Sequence, residues 1–123
     1  MIDELKRTPP LSVHQPSECL YQAARQHGQE AVRTGASGHQ GQDGSWPWDR
    51  AKRACPSMQD GNENLVGGPS NIREAVMLLL VDDGISNRGH RKTLLRPDWQ
   101  YVACYKSGQV GRMPNSWVQM FGY

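Results

Sequence analysis

His39, Glu63 and His90 are the side chains of this sequence best suited to chemistry. Each sits in a short polar frame: Gly38-His39-Gln40-Gly41, Asn62-Glu63-Asn64-Leu65 and Gly89-His90-Arg91-Lys92. An imidazole is costly to bury unless its ring nitrogens find partners, and a carboxylate more so. Three such segments therefore point to one polar cleft. Neutral imidazoles with carboxylates suit zinc or another divalent cation. Alternatively, a histidine and a glutamate can act as general acid and base or activate a metal-bound water. A closed hydrogen-bond network that specifies the fold without any ligand would use the same residues. Covalent catalysis finds no nucleophile in a recognisable setting: Gly-x-Ser-x-Gly and His-Glu-x-x-His are absent, and no cysteine stands beside a motif histidine.

The elements that must position these residues are legible in outline. Ile2 to Arg7 reads as the end of a helix stopped by Pro9-Pro10, and Pro16-Ser17-Glu18 opens a longer one. Leu20, Ala23, Ala24, His27 and Ala31 recur at helical spacing, and this helix should end near Gly35. His27 on that face reads as a core-edge histidine with a backbone partner. Gly38 to Ser45 is a glycine-rich loop, with Ser45 expected to cap a helix from Trp46 to about Ala54. Its Asp43-Gly44-Ser45 lacks the alternating acids of a calcium loop. Glu63 to Val66 reads as a short strand. Asn71 or Ser70 should cap a helix running to about Asp82, apolar nearly all round and so expected between layers. Gly84 breaks it, and Gly89 to Leu95 forms a short helix before Pro97. Tyr101–Tyr105 and Trp117–Phe121 are β-branched and aromatic runs that predict two antiparallel strands.

The totals fit one domain over residues 1–123. At 37% hydrophobic content and a mean hydropathy of −0.72, the core should be modest. A net charge of +2 from 14 basic and 12 acidic side chains gives no electrostatic case for nucleic acid or an anionic membrane. No apolar run approaches the roughly 18 residues that span a bilayer, and no signal peptide is visible. The abrupt start at Met1-Ile2, already within a helix, suggests a shortened N-terminus. Cys19, Cys55 and Cys104 form no Cys-x-x-Cys pair. One disulfide with a free thiol is expected in an oxidising compartment, Cys55–Cys104 being the first choice, and three unpaired thiols remain the alternative. Trp99 and Trp117 read as core, while Trp46 and Trp48, bracketing Pro47 beside the His39 loop, suit a cleft rim. Arg91 reads as a surface residue or a partner for Asp82 or Asp98.

Four pieces in order resemble the CAP superfamily, also called SCP-like: cysteine-rich secretory proteins, plant pathogenesis-related proteins, insect venom allergens and bacterial relatives. They are His39 after a long helix, Glu63-Asn64-Leu65, the apolar helix to Asp82-Asp83, and Gly89-His90-Arg91 with Thr93-Leu94-Leu95. The closing Trp117 to Gly122 is also similar, and Val81-Asp82-Asp83-Gly84-Ile85 points to the bacterial branch. The resemblance implies an α+β fold, a three-layer α–β–α sandwich around a small antiparallel sheet. It also implies a cleft lined by two histidines and two acids: His39, Glu63, His90 and, in preference to Asp82, Asp83. Leu79 or Leu80 replaces the tryptophan usual ahead of that acid. Further implications are a metal-capable cleft for Zn2+ or another divalent cation, export to the periplasm, cell surface or medium, and a monomer that takes a small lipid, glycan or protein ligand. The alternative is a protease-like hydrolase with His39, Glu63 and His90 catalytic.

Overall fold

The computed structural model describes residues 2–83 and 88–123, so the break expected at Gly84 lies outside the described residues. After a short helix α1 (Ile2–Arg7), the main helix α2 (Glu18–Thr34) begins just past Pro16, which was expected in its first turn but lies in a strand. Ser17 Oγ accepts the Leu20 N–H at its start, and Gly35 ends it in the left-handed conformation, φ 72°. The stripe of Leu20, Ala23, Ala24, His27 and Gly28 is buried. Helix α3 (Pro47–Ala54) opens on its proline, and the N-cap position falls to Trp46, whose N–H donates to Asp49 Oδ2 at 2.9 Å. Ser45, expected as the cap, instead turns its N–H into the preceding loop, onto Asp43 Oδ1.

Strands β1 (Gln15–Pro16), β2 (Gly61–Val66), β3 (Tyr101–Val110) and β4 (Met113–Gly122) form one sheet in the order β1-β3-β4-β2. The β3–β4 hairpin runs beyond the predicted Tyr101–Tyr105 and Trp117–Phe121 because pairing continues to Val110 and Met113 through two register shifts. The two-residue β1, parallel to β3, was not foreseen; it is too short for a periodicity and contains a proline.

Side chains alternate across the sheet, and the register sorts them cleanly. Glu63, Met120 and Ala103 lie abreast; so, one residue on, do Asn64, Gln119 and Cys104. The first row faces α2 and α3, where Leu20, Ala23, Ala24, Ala51, Val118 and Met120 form the core. The second faces helices α4 (Ile72–Val81) and α5 (Gly89–Leu94). On that side Asn64 Nδ2 donates to the His90 carbonyl and to Gln119 Oε1, and Trp99 stacks on Phe121. The expected three-layer sandwich is therefore present.

This parity corrects the disulfide. The bond joins Cys19 of α2 to Cys55 at the end of α3, Cα atoms 5.5 Å apart, whereas Cys104 is free and on the opposite face of the sheet. Closing a loop of 36 residues stabilises the fold by about 3–4 kcal/mol. Helix α4 also departs from expectation. Only Ala75 and Leu79 are buried; Ile72, Met77 and Leu78 are 43–53% exposed, because the helix packs on β2 and α5 along one side alone.

Burial pushes the Cys104 thiol up against the opposing hydrogen bond from Gln119. At about pH 8, near the ordinary thiol range, iodoacetamide should modify Cys104 slowly in the native protein and readily after unfolding. Peptide mapping without reductant should recover Cys19 linked to Cys55; a Cys55–Cys104 peptide would contradict the assignment.

Candidate functional site

Strand β2 is an edge of the sheet, and a cleft of about 350 Å³ lies against it. His39 reaches it from the α2–α3 loop, Glu63 from β2 and His90 from α5, so the three singled-out residues do converge. Asn62, Trp46 and Trp48 line the same space.

Glu63 organises one side. Its side chain is wholly buried, yet it sits on a strand whose neighbours are core residues. A buried carboxylate needs charge and donors; Arg50 and His39 supply them, with His27 close by. Arg50 Nη2 donates to Oε2 at 2.8 Å; Nδ1 of His39 donates to Oε1 at 3.0 Å; Nε2 of His27 lies 3.6 Å from Oε1. An ionised carboxylate only accepts, so Nδ1 of His39 carries a proton, and in the neutral ring Nε2 keeps its lone pair. His27 is buried and donates Nε2–H to the Gly38 carbonyl at 2.7 Å. It therefore holds the backbone immediately before His39, as a core-edge histidine with a backbone partner would. The rest of the loop is tied as well: Gln42 N–H donates to Glu30, and hydrogen bonds from Ser45, with Arg53 adding to them, hold the Asp43 carboxyl well below the ordinary carboxylate range.

The other side is built by Asp82 and Arg91 acting in opposite directions. Asp82 ends α4 in the left-handed conformation, φ 51°, which Asp tolerates better than most residues. Its Oδ1 accepts Nδ1–H of His90 at 2.8 Å, and Oδ2 accepts the backbone N–H groups of His90 and Arg91 at the start of α5. Burial opposes ionisation of Asp82, but the bonds from the His90 ring and from these N–H groups hold its carboxyl below the usual range. In return, the buried Arg91 guanidinium donates to the carbonyls of Leu80 and Val81 at the end of α4, and pairs with Glu4. Each helix terminus thus receives the groups it lacks from the other helix.

Two expectations are corrected here. The acid that meets the His90 ring is Asp82, which does not itself line the cleft; Asp83 is exposed and lines a separate depression on α4 with Met77 and Leu78. Arg91, expected at the surface or paired with Asp82 or Asp98, is buried: its guanidinium closes α4 and pairs with Glu4, and it meets Asp82 through its backbone N–H. Arg50 went unforeseen as a site residue, although a signal existed: Pro47, Arg50, Ala51 and Ala54 occupy one helical stripe, and an arginine on a buried stripe demands an acid. Among the described residues no three His, Cys, Asp or Glu side chains cluster as a complete metal shell.

A mixed sheet between helical layers, with a histidine cleft on its edge, defines an SCP-type sandwich. The chain belongs to the cysteine-rich secretory protein (CAP) family, whose sequence model matches residues 5–121. Among solved structures, an outer surface protein from Borrelia burgdorferi is similar with TM-score 0.76 at 19% identity, covering 98% of this chain and 85% of that one. An extracellular protein containing a SCP domain from Bacillus anthracis str. Ames gives TM-score 0.69 at 20% identity over 98% of this chain, which spans 36% of that protein. The curated proteins include no match. At these identities the likeness concerns the fold.

The Arg50–Glu63 pair yields a stability test. Arg50→Met leaves a buried carboxylate without its cation and should cost about 3–5 kcal/mol in urea unfolding. Arg50→Met combined with Glu63→Leu should recover a large part of that loss. Additive losses would show that the two side chains do not depend on one another.

Proposed function

We propose that this is a binding domain that works outside the cytoplasm, with His39 and His90 offering their Nε2 atoms to a divalent cation in the cleft. The observation that carries the reading is the doubled pairing of imidazole with carboxylate. Both Nδ1 atoms are engaged by buried acids, Glu63 and Asp82. Such partners fix the tautomer and ring orientation and raise the basicity of the remaining nitrogen. The donor set suits zinc or a similar ion. Two imidazoles make only a partial shell, so the ion would be held weakly, with solvent or a ligand completing its coordination. Glu63 and Asp82 act here as orienting groups, since their oxygens are already occupied by Arg50, the histidines and the α5 N–H groups.

The hydrolase alternative receives less support. Both Glu63 oxygens are engaged below the cleft floor, so Glu63 is not free to act as the general base and only the histidine Nε2 atoms could take that role. The hydroxyl lining the cleft, that of Thr93, donates to the Gly89 carbonyl. The export reading draws on the Cys19–Cys55 disulfide, which favours an oxidising compartment. It also draws on the two structural neighbours, one named an outer surface protein and the other extracellular. Among the described residues no helix is long and apolar enough to cross a membrane.

Zinc titration by calorimetry tests the cation site. Binding should be weak in the wild type, absent in His39→Ala/His90→Ala, and reduced about 10- to 100-fold in Asp82→Asn, which keeps both imidazoles but loosens one. Unchanged heat in the double histidine variant would remove the proposal.

A further inference from the structure

Four tryptophans divide into two kinds. Trp99 and Trp117 lie against the sheet, and their indole N–H groups donate to the carbonyls of Thr93 and Pro69. Trp46 and Trp48 are each 40% exposed at the cleft. Their rings stack on one another at 13° with centroids 5.7 Å apart. Between them Pro47 is fully buried and fixes the backbone at the start of α3. Among the described residues neither indole N–H has a protein partner. Two large rings in a part-exposed stack, with unused donors, form a platform beside a polar floor.

The chemistry of that floor narrows the occupant. Nδ1 of each cleft histidine is a donor to a carboxylate, so in the neutral rings Nε2 of His39 and of His90 are acceptors. Asn62 spends its side-chain oxygen on the Glu63 N–H, leaving its amide N–H groups as donors. Glu63, the acid of the cleft wall, is matched by Arg50. The lining therefore offers interspersed donors and acceptors, little net charge and one flat aromatic face. A lipid tail would leave those polar groups unpaired. A quaternary ammonium calls for several aromatic walls, whereas these rings lie against each other and present a face rather than a cage. Hydroxyl groups, each both donor and acceptor, match the floor, and the C–H face of a pyranose with equatorial substituents matches the negative face of an indole.

We propose that the cleft binds a neutral saccharide, one pyranose ring lying on the Trp46–Trp48 stack and its hydroxyls meeting His39, His90 and Asn62. This rests on reading the cleft as a binding site, and it deepens that reading by naming a ligand class. It does not require the metal: the same Nε2 atoms accept from hydroxyl groups when no ion is bound.

Saturation-transfer NMR on the whole chain, in EDTA, with cellotriose and chitotriose as probes, tests the proposal. At least one trisaccharide should receive saturable transfer strongest at the axial ring protons. Trp46→Ala and Trp48→Ala should each weaken it about 10-fold or more, while Met77→Ser, on the exposed side of α4, leaves it unchanged. Far-UV circular dichroism and zinc calorimetry on the tryptophan variants show whether they remain folded with the histidines in place. No saturable transfer from either sugar in the wild type, or wild-type affinity in both tryptophan variants, overturns the saccharide assignment and leaves the cation reading intact. Sugar binding without zinc binding upholds the saccharide and removes the cation.

Discussion

A wholly buried carboxylate on an edge strand is the constraint around which this domain is arranged. Glu63 faces the same side of the sheet as Met120 and Ala103, where an apolar residue would be the cheaper choice. Its two oxygens accept from Arg50 of α3 and His39 of the α2–α3 loop. One side chain thus ties that loop and α3 to the edge of the sheet. Replacing the group by a hydrocarbon would be thermodynamically acceptable, but it would leave His39 without the partner that sets its tautomer.

The second histidine is fixed by a different device with the same chemical outcome. Asp82 and Arg91 exchange contacts across the α4–α5 junction, so the helix termini and the His90 ring are settled by one set of bonds. Because α5 is only six residues long, its own hydrogen bonds could not hold it. Its position comes from Asp82 at its start, from Asn64 beneath the His90 carbonyl and from the Trp99 indole at Thr93. The two rings consequently reach one cleft from opposite layers of the sandwich, each turned by a buried acid.

Much of this could be read from the residues. Glycine and asparagine framing marked His39, Glu63 and His90 as a set, and the helical stripe of α2, the cap at Asn71 or Ser70 and the aromatic strands gave the layers. What escaped was the information carried by parity and by partners. Cys104 and Ala103 are adjacent in sequence but on opposite faces of β3, so a one-residue difference decides that Cys104 cannot meet Cys55. Asp82 and Asp83 differ in the same way: one adopts the left-handed turn that aims it at α5, and its neighbour points outward. Arg50 lay on a buried helical stripe whose demand for an acid went unread, and nothing local to Arg91 reveals the row of helix-end carbonyls arriving from elsewhere. In α4 the apolar composition overstated burial, since composition counts side chains and not the surfaces available to cover them.

The central claim is that buried carboxylates set both cleft histidines as the Nδ1–H tautomer, and long-range 15N–1H correlation spectra measure this directly. At about pH 8, where ordinary imidazoles are neutral, His39 and His90 should each show a protonated Nδ1 and an unprotonated Nε2. Glu63→Gln should disturb the His39 pattern alone, and Asp82→Asn that of His90 alone. A protonated Nε2 on either ring in the wild type, or rapid averaging between tautomers, would contradict the account.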